Sequence, residues 1–166
     1  MLKAFYPKEM KESSYAIPYE ELYEKGIRGV IFDVDNTLVP HGAPADERAL
    51  SLFEELRRIG MKTCLLSNNG EKRVSSFAAQ VASPYIFKGC KPSVKGYNRA
   101  MKLMGTERST TIFVGDQLFT DVYGANRAGI YSFLVKPIHP KEEIQIVFKR
   151  YLESIVLHFY KSNKKV

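Results

Sequence analysis

Residues 29–39, Gly29-Val30-Ile31-Phe32-Asp33-Val34-Asp35-Asn36-Thr37-Leu38-Val39, decide how this chain folds. Gly29 to Phe32 form a short apolar run. Such a run predicts a strand buried on both faces, as in a parallel sheet. The polarity then reverses within one residue. Asp33 and Asp35, two apart on extended backbone, project to the same side. Two carboxylates so placed repel each other unless a cation or a shared proton offsets them. Asn36 suits an Asx turn, so an acidic turn without chemistry is a second reading of these residues taken alone. Open α/β sheets bind their ligands beyond the carboxyl ends of the strands, where this acidic pair falls.

Outward from that stretch the chain alternates. The lead-in, residues 1–28, is too apolar for a free tail, with Leu2, Phe5, Tyr6, Tyr15, Ile17 and Tyr19. Pro18 opens a short helix that ends at Gly26. The lead-in is expected to pack on the domain; an aromatic patch for a membrane or partner is the alternative. Pro40 to Pro44 form a loop. Asp46 to Ile59 read as a helix, with Ala49, Leu50, Phe53, Leu56 and Ile59 at helical spacing and Gly60 as its stop. A strand follows at Met61–Leu66, then a helix carrying Val74, Phe77, Ala78 and Val81 on one face. Tyr85–Phe87 is a short strand. Ser93 caps a helix closed by Gly105. Thr110–Val114 is a strand, a helix runs through Val122, Ala125 and Ala128 to Gly129, and Tyr131–Val135 is the last strand. A long helix runs from Lys141 to about Tyr160, ahead of a basic tail, Lys161–Val166. Strands alternating with helices predict an α/β fold: a mainly parallel sheet, helices on both faces, right-handed crossovers. The core is residues 29–140, with an amphipathic helix and tail in 141–166.

Composition bounds the function. At 166 residues one domain is expected. Hydrophobic residues at 45% and charged residues at 26% are ordinary for a soluble globular protein. The net charge of +7 suits an anionic substrate or surface. Cys64 and Cys90 form neither a disulfide framework nor a metal-ligand spacing, so a reducing, cytoplasmic setting is expected. No apolar run approaches the roughly 18 residues needed to span a membrane. The N-terminus lacks the apolar core of a signal peptide.

Four polar clusters end four successive strands: Asp33/Asp35, Ser67-Asn68-Asn69, Lys91, and Gly115-Asp116 with Asp121. Singly, Ser67 reads as a helix cap, Lys91 as a surface charge, and Asp116 and Asp121 as turn and cap residues. Packing alone does not ask for polar residues at four consecutive strand ends, and such ends converge on one crevice.

In this order the clusters resemble motifs one to four of the haloacid dehalogenase (HAD) superfamily, over residues 29 to 135. The resemblance implies a three-layer Rossmann-like fold and a phosphomonoesterase. Asp33 would be the nucleophile, forming an aspartyl-phosphate. Mg²⁺ would be held by Asp33, Asp116 and the backbone carbonyl of Asp35. The Asp35 side chain would protonate the leaving oxygen and then activate water. Ser67, Thr37 and Asn68 would contact the phosphoryl group, with backbone amides at Val34 and Asn68. Lys91 would neutralise both Asp33 and the phosphoryl group, and Asp121 would orient Lys91 or a metal-bound water. Between Thr37 and Ser67, and between Ser67 and Lys91, there is no room for a cap domain. A capless, open site suits a phosphate presented on something large.

More closely, Asp33 to Val39, Ser67-Asn68-Asn69, Lys91-Pro92 with Asn98-Arg99-Ala100, and Gly115 to Val122 with Gly124 to Arg127 resemble the YqeG-like branch of capless HAD phosphatases. That branch includes phosphatidylglycerophosphate phosphatases, which implies a phospholipid head-group phosphate as substrate. One departure is His41, in the rim loop, where relatives often carry tryptophan. Nucleotides, nucleic-acid ends and phosphoproteins are the alternative substrates, and a non-catalytic phosphate-binding module the alternative class. The terminal helix carries a wide apolar stripe, Ile144, Val147, Phe148, Tyr151, Leu152, Ile155, Val156 and Phe159, beside Lys149, Arg150, Lys161, Lys164 and Lys165. Packing on its own sheet or in a homodimer is expected for such a stripe, ahead of peripheral contact with an anionic membrane at the inner face.

Overall fold

The computed structural model describes residues 2–139 and 144–164. Six strands, β1 (Glu9–Lys11), β2 (Gly29–Phe32), β3 (Lys62–Leu66), β4 (Tyr85–Ile86), β5 (Thr111–Gly115) and β6 (Tyr131–Val135), form one sheet in the order β1-β6-β5-β2-β3-β4. Every neighbouring pair is parallel. The helices are α1 (Tyr19–Glu24), α2 (Glu47–Ile59), α3 (Glu71–Val81), α4 (Val94–Met104), α5 (Tyr123–Ala128) and α6 (Ile144–Lys164).

The strand order positions the site. From β2 the chain steps outward through α2 to β3 and through α3 to β4. Helix α4 then carries it back past β2, and β5 pairs on the other side. The connections therefore diverge between β2 and β5, and this switch point leaves a crevice at the strands' carboxyl ends. The register Phe32↔Val114 sets Asp33 and Gly115-Asp116 side by side at its mouth.

Val30, Ile31 and Phe32 are completely buried, as a strand covered on both faces requires. Alternation splits their side chains. Val30 and Phe32 join Phe53 and Leu56 of α2 and Phe77 of α3. Ile31 joins Tyr97 and Met101 of α4 and Ala125 of α5. Helix α2 starts at Asp46, whose carboxylate accepts from the Ala49 amide at 2.9 Å, and ends at Gly60 in the left-handed region (φ 89°).

The lead-in does more than pack. Glu9-Met10-Lys11 pairs with β6 as an edge strand. Three residues with a charge at each end carry no periodic signal, so the sequence did not point to this strand. Ser14 Oγ donates to the Thr37 carbonyl at 2.8 Å and the Tyr15 hydroxyl to the Leu38 carbonyl, bracing the loop after β2.

Other boundaries differ slightly. Residues 108–110 form a 3₁₀ turn, and β5 runs one residue later than expected, to Gly115. Leu118–Val122 form a π-helical turn before α5. Helix α6 continues past Tyr160 to Lys164, through most of the expected tail; Lys141, where it was expected to begin, lies outside the described residues. Of its described stripe, only Val156 is buried, on Leu118, Val122 and Leu134. Phe148, Tyr151, Leu152, Ile155 and Phe159 are exposed. Among the described residues no helix is long and apolar enough to cross a membrane.

Candidate active site

After β2 the backbone must turn at once. Asn36 takes the left-handed conformation (φ 63°), and the Leu38 amide donates to the Val34 carbonyl at 2.9 Å. Asn tolerates that region better than most residues. Leu38 and Val39 are completely buried and anchor the turn. Asp33 is left at the crevice, with its own amide bonded to the Val114 carbonyl at 3.0 Å.

Five side chains meet there. Lys91 Nζ lies 2.6 Å from Asp33 Oδ1 and 2.7 Å from Asp121 Oδ1. Thr37 Oγ1 sits between Asp33 Oδ2, at 3.3 Å, and Asp116 Oδ1, at 3.1 Å. All five are buried. Carboxylate oxygens of Asp33, Asp116 and Asp121 come within 4.8 Å of one another. Three crowded carboxylates against the Lys91 ammonium and, on the outer side of Asp116, the Arg150 guanidinium leave one negative charge uncompensated, and hard oxygen donors are what Mg²⁺ takes. The donor set fits that ion. Asp121 is already held by Lys91 and by the Gln117 amide at 3.1 Å. Asp33 bonds Lys91 through Oδ1 and Asp116 bonds Arg150 through Oδ2, so Asp33 Oδ2 and Asp116 Oδ1, which share the Thr37 hydroxyl, are the oxygens that could hold a cation.

Burial drives the protonation equilibria. It raises Asp33 to about 6; Lys91 pulls it down, and Asp121 and Asp35 push it up. Burial also lifts Asp116 well above the usual carboxylate range, aided by Asp33 and Asp121 and opposed by Arg150. For Lys91 burial acts downward, but Asp121 and Asp33 outweigh it, and the ammonium titrates above the usual lysine range. Lys91 is therefore a fixed positive charge at neutral pH.

The π-helical turn aims Asp121 inward, and such turns are frequent at functional sites. Tyr97 pins the turn from below, its hydroxyl 3.0 Å from both the Thr120 and Asp121 carbonyls. A Cβ at position 115 would fall 2.5 Å from Asp121 Oδ2, so the residue before Asp116 has to be glycine.

Asp35 faces the other way. Its Oδ1 accepts from the Gly42 amide at 2.7 Å and from Arg73 Nη2 at 2.9 Å; its Oδ2 accepts from Asn69 Nδ2 at 2.6 Å. Burial raises its pKa, but the Gly42 amide and Arg73 outweigh that, and the carboxyl is held below the usual range. His41 Nδ1 lies 4.0 Å from the same carboxylate, so this rim-loop residue is closer to the site than its sequence spacing suggested. The Asp35 side chain stands outside the cation cluster; its expected metal contact is by the backbone carbonyl alone.

Ser67 Oγ accepts from the Asn69 amide at 3.1 Å. The Asn68 side chain brackets the Lys91 backbone, accepting from its amide at 2.7 Å and donating to its carbonyl at 3.2 Å. That amide group holds the lysine, while the Asn68 backbone amide, like that of Val34, donates to no protein group among the described residues.

Three participants were not foreseen. Arg73 and Asn69 hold Asp35. Arg150, from α6, donates to both the carboxylate and the carbonyl of Asp116, and bonds Glu153 at 3.0 Å. Glu153 in turn accepts from the Leu118 amide at 2.7 Å. An i,i+3 Arg–Glu pair on a helix reads as surface charge, yet Glu153 is 5% exposed.

Comparison with known proteins places this chain in a family. The sequence profile of the haloacid dehalogenase-like hydrolases matches residues 41–129. The probable phosphatase YqeG of Bacillus subtilis (strain 168) is 38% identical, the alignment covering 95% of this chain and 92% of that protein. Phosphatidylglycerophosphate phosphatase 1, chloroplastic/mitochondrial, of Arabidopsis thaliana is 28% identical over 79% of this chain, but the match spans only 40% of the plant protein. Among solved structures, a Legionella pneumophila protein assigned to HAD subfamily III A superposes with a TM-score of 0.55 at 18% identity, covering 73% of this chain and 72% of that one. The cobalt-bound deoxy-D-mannose-octulosonate 8-phosphate phosphatase of Haemophilus influenzae superposes with a TM-score of 0.52 at 15% identity, covering 68% and 80%. These two likenesses concern the fold.

Proposed function

This chain belongs to the haloacid dehalogenase-like hydrolase family and is a phosphatase, and we propose that it acts without a cap domain and hydrolyses phosphomonoesters through an aspartyl-phosphate on Asp33, with Mg²⁺, on a phosphate presented at a lipid surface. The observation that carries the chemistry is the position of Asp33, buried between Lys91 and the Asp116 carboxylate.

An Asp33 oxygen attacks phosphorus, and the bond to the alcohol oxygen breaks as the acyl phosphate forms. Asp35 gives a proton to the departing alcohol, then takes one from the water that cleaves the acyl phosphate. The ionised Asp35 described above is the form that acts in this second step; for the first, Asp35 takes up a proton from solvent as the substrate binds, gives it to the alcohol, and regains it from the water. Lys91 sets a fixed charge against the phosphoryl oxygens. Ser67 and the unoccupied amides of Val34 and Asn68 supply hydrogen-bond donors, and Thr37 keeps Asp33 and Asp116 in register. Asp33 and Asp116, with the Asp35 carbonyl, would hold Mg²⁺, which supplies charge neutralisation for the incoming phosphate.

The lipid reading rests on the architecture. One helix and one strand fill the chain between Thr37 and Ser67, so nothing covers the crevice from there. Helix α6, whose Arg150 reaches Asp116, turns Phe148, Tyr151, Leu152, Ile155 and Phe159 outward. An apolar helix face with lysines beside it, on a chain of net charge +7, suits an anionic membrane surface. The Arabidopsis relative's named substrate is such a lipid.

The test is phosphate release from phosphatidylglycerophosphate in mixed micelles, with Mg²⁺ or EDTA, beside a soluble aryl phosphate. Metal-dependent release favouring the lipid is expected. Release from the aryl phosphate alone would discard the lipid and keep the phosphatase.

A further inference from the structure

A cavity of about 670 Å³ opens beside Asp35, and its walls include Gly42, Pro44, Lys72, Arg73 and Lys88. Gly42 and Arg73 are also the two groups that bond Asp35 Oδ1. The cavity and the carboxylate therefore share a wall. On the reading given above, Asp35 faces the oxygen that leaves with the alcohol, so the cavity lies where the alcohol half of the substrate must go.

The chemistry of the wall is one-sided. Lys72, Arg73 and Lys88 set three cations around the space, against Glu71 as its one carboxylate. Arg73 is the most buried of the three, its side chain 21% exposed. Its guanidinium carbon stands 5.5 Å from the centroid of the Phe77 ring. Nε and Nη2 are spent on Asp35, while Nη1 donates to no protein acceptor among the described residues. A guanidinium so held has donors left for a second anion. Lys88 reaches the cavity from the opposite segment, its amide fixed to the Asn69 carbonyl at 2.9 Å. A neutral alcohol would offer nothing to Lys72 and Lys88, and nothing to Arg73 beyond its bond to Asp35. An alcohol carrying its own anion would fill the space and offset them.

We propose that this cavity is a leaving-group subsite that selects phosphomonoesters whose alcohol carries a phosphodiester, bound by Arg73 and Lys88 with Lys72 at the rim. The inference rests on the phosphatase reading and adds a determinant of substrate choice to it. A phosphodiester next to a phosphomonoester occurs both in a lipid head group and at a phosphorylated nucleic-acid end, and the subsite recognises what these share.

The selectivity test compares kcat/KM for phosphatidylglycerophosphate in micelles, for a 5′-phosphorylated dinucleotide, and for glycerol 3-phosphate, whose alcohol is neutral. Either diester substrate is expected to exceed glycerol 3-phosphate by tenfold or more, and the better one identifies the source. Lys88→Glu, on an exposed side chain, is expected to lower that ratio about tenfold, mainly through KM. A ratio near one in the parent, or one that Lys88→Glu and Lys72→Glu together leave unchanged, overturns the proposal. A binding measurement separates this outcome from failure of the phosphatase reading. Glycerophosphoglycerol, a diester with no phosphomonoester, is titrated calorimetrically into Asp33→Asn protein. Binding that Lys88→Glu weakens tenfold supports the subsite whether or not turnover is seen. Equal binding by both proteins, or none at millimolar ligand, rejects it.

Discussion

Arg150 closes on Asp116 from outside the sheet, donating to the side-chain carboxylate and to the backbone carbonyl of the same residue. Through this contact the C-terminal helix becomes a wall of the acidic cluster rather than an appendage. Glu153 completes the link by holding Arg150 and the start of the π-helical turn.

Arg150→Ala should therefore destabilise the fold, because Asp116 would stay buried with its counter-charge gone. Removing one member of a buried pair costs about 3–5 kcal/mol; with the Arg150 side chain 21% exposed, the lower end, about 3 kcal/mol, is expected. Urea denaturation in EDTA measures it. Protease cleavage within α6 should accelerate in parallel. A change below about 0.5 kcal/mol would mean that the contact carries little.

Asp33→Asn should abolish turnover while the protein still folds. Asn cannot form the acyl phosphate, and a loss of at least about 10³-fold is expected for a missing nucleophile. Stability should hold or rise, since the change removes one of three crowded carboxylates while Lys91 keeps Asp121. Phosphate release and a thermal melt on the same sample decide it. A variant that still turns over would sink the nucleophile assignment.

The sheet was largely legible because its signals are local. Val30-Ile31-Phe32 and Ile112-Phe113-Val114 are short apolar runs, the first followed at once by Asp33 and the second by Gly115-Asp116, and such runs are the pattern of a strand buried on both faces. The acidic cluster followed from topology, since parallel strands bring Asp33 and Asp116 to one edge. What stayed hidden depends on side chains reaching across the fold. Arg73 lies on a helix face that reads as solvated, and Arg150 reads as one of the positive charges beside an apolar stripe expected to pack on its own sheet or a second subunit. The stripe itself was half legible: its period predicts a helix, but a period does not say which face packs, and most of its described members point outward. Glu9-Met10-Lys11 joins the sheet only because β6 offers a free edge, and no property of three residues announces that.

The carboxyl cluster makes stability and metal affinity respond to pH in opposite directions. Asp33 titrates near 3.8 unfolded and about 6 folded, so between those values the folded state binds more protons. Metal-free stability should then fall as pH rises through that window and level off above it. Asp116, shifted the same way, extends the decline upward. A divalent cation needs these groups deprotonated, so its affinity should rise over the same range. Melts at pH 5, 6, 7 and 8, each with EDTA or millimolar Mg²⁺, should show a metal-induced rise in Tm that grows with pH. A rise that is constant across the series would remove Asp33 and Asp116 from the metal site.

Lys91→Met tests whether the lysine is needed for folding as well as for charge at the phosphate. Its ammonium is the nearest cation to Asp33 and Asp121, and Asp121 has no access to solvent. Loss of the ammonium leaves both carboxylates buried and uncompensated, which should cost about 3–5 kcal/mol in EDTA. Met keeps the length and apolar bulk of the side chain, so little of that loss comes from packing. Adding Asp121→Asn should then recover part of it, since the second change removes the stranded charge. The two single variants and the double variant form a cycle whose coupling isolates the pair. A coupling of at least about 1.5 kcal/mol is the expected result. Additive losses would mean that Lys91 and Asp121 are neighbours without a shared role, and the assignment of Asp121 as the residue that orients Lys91 would fall with them.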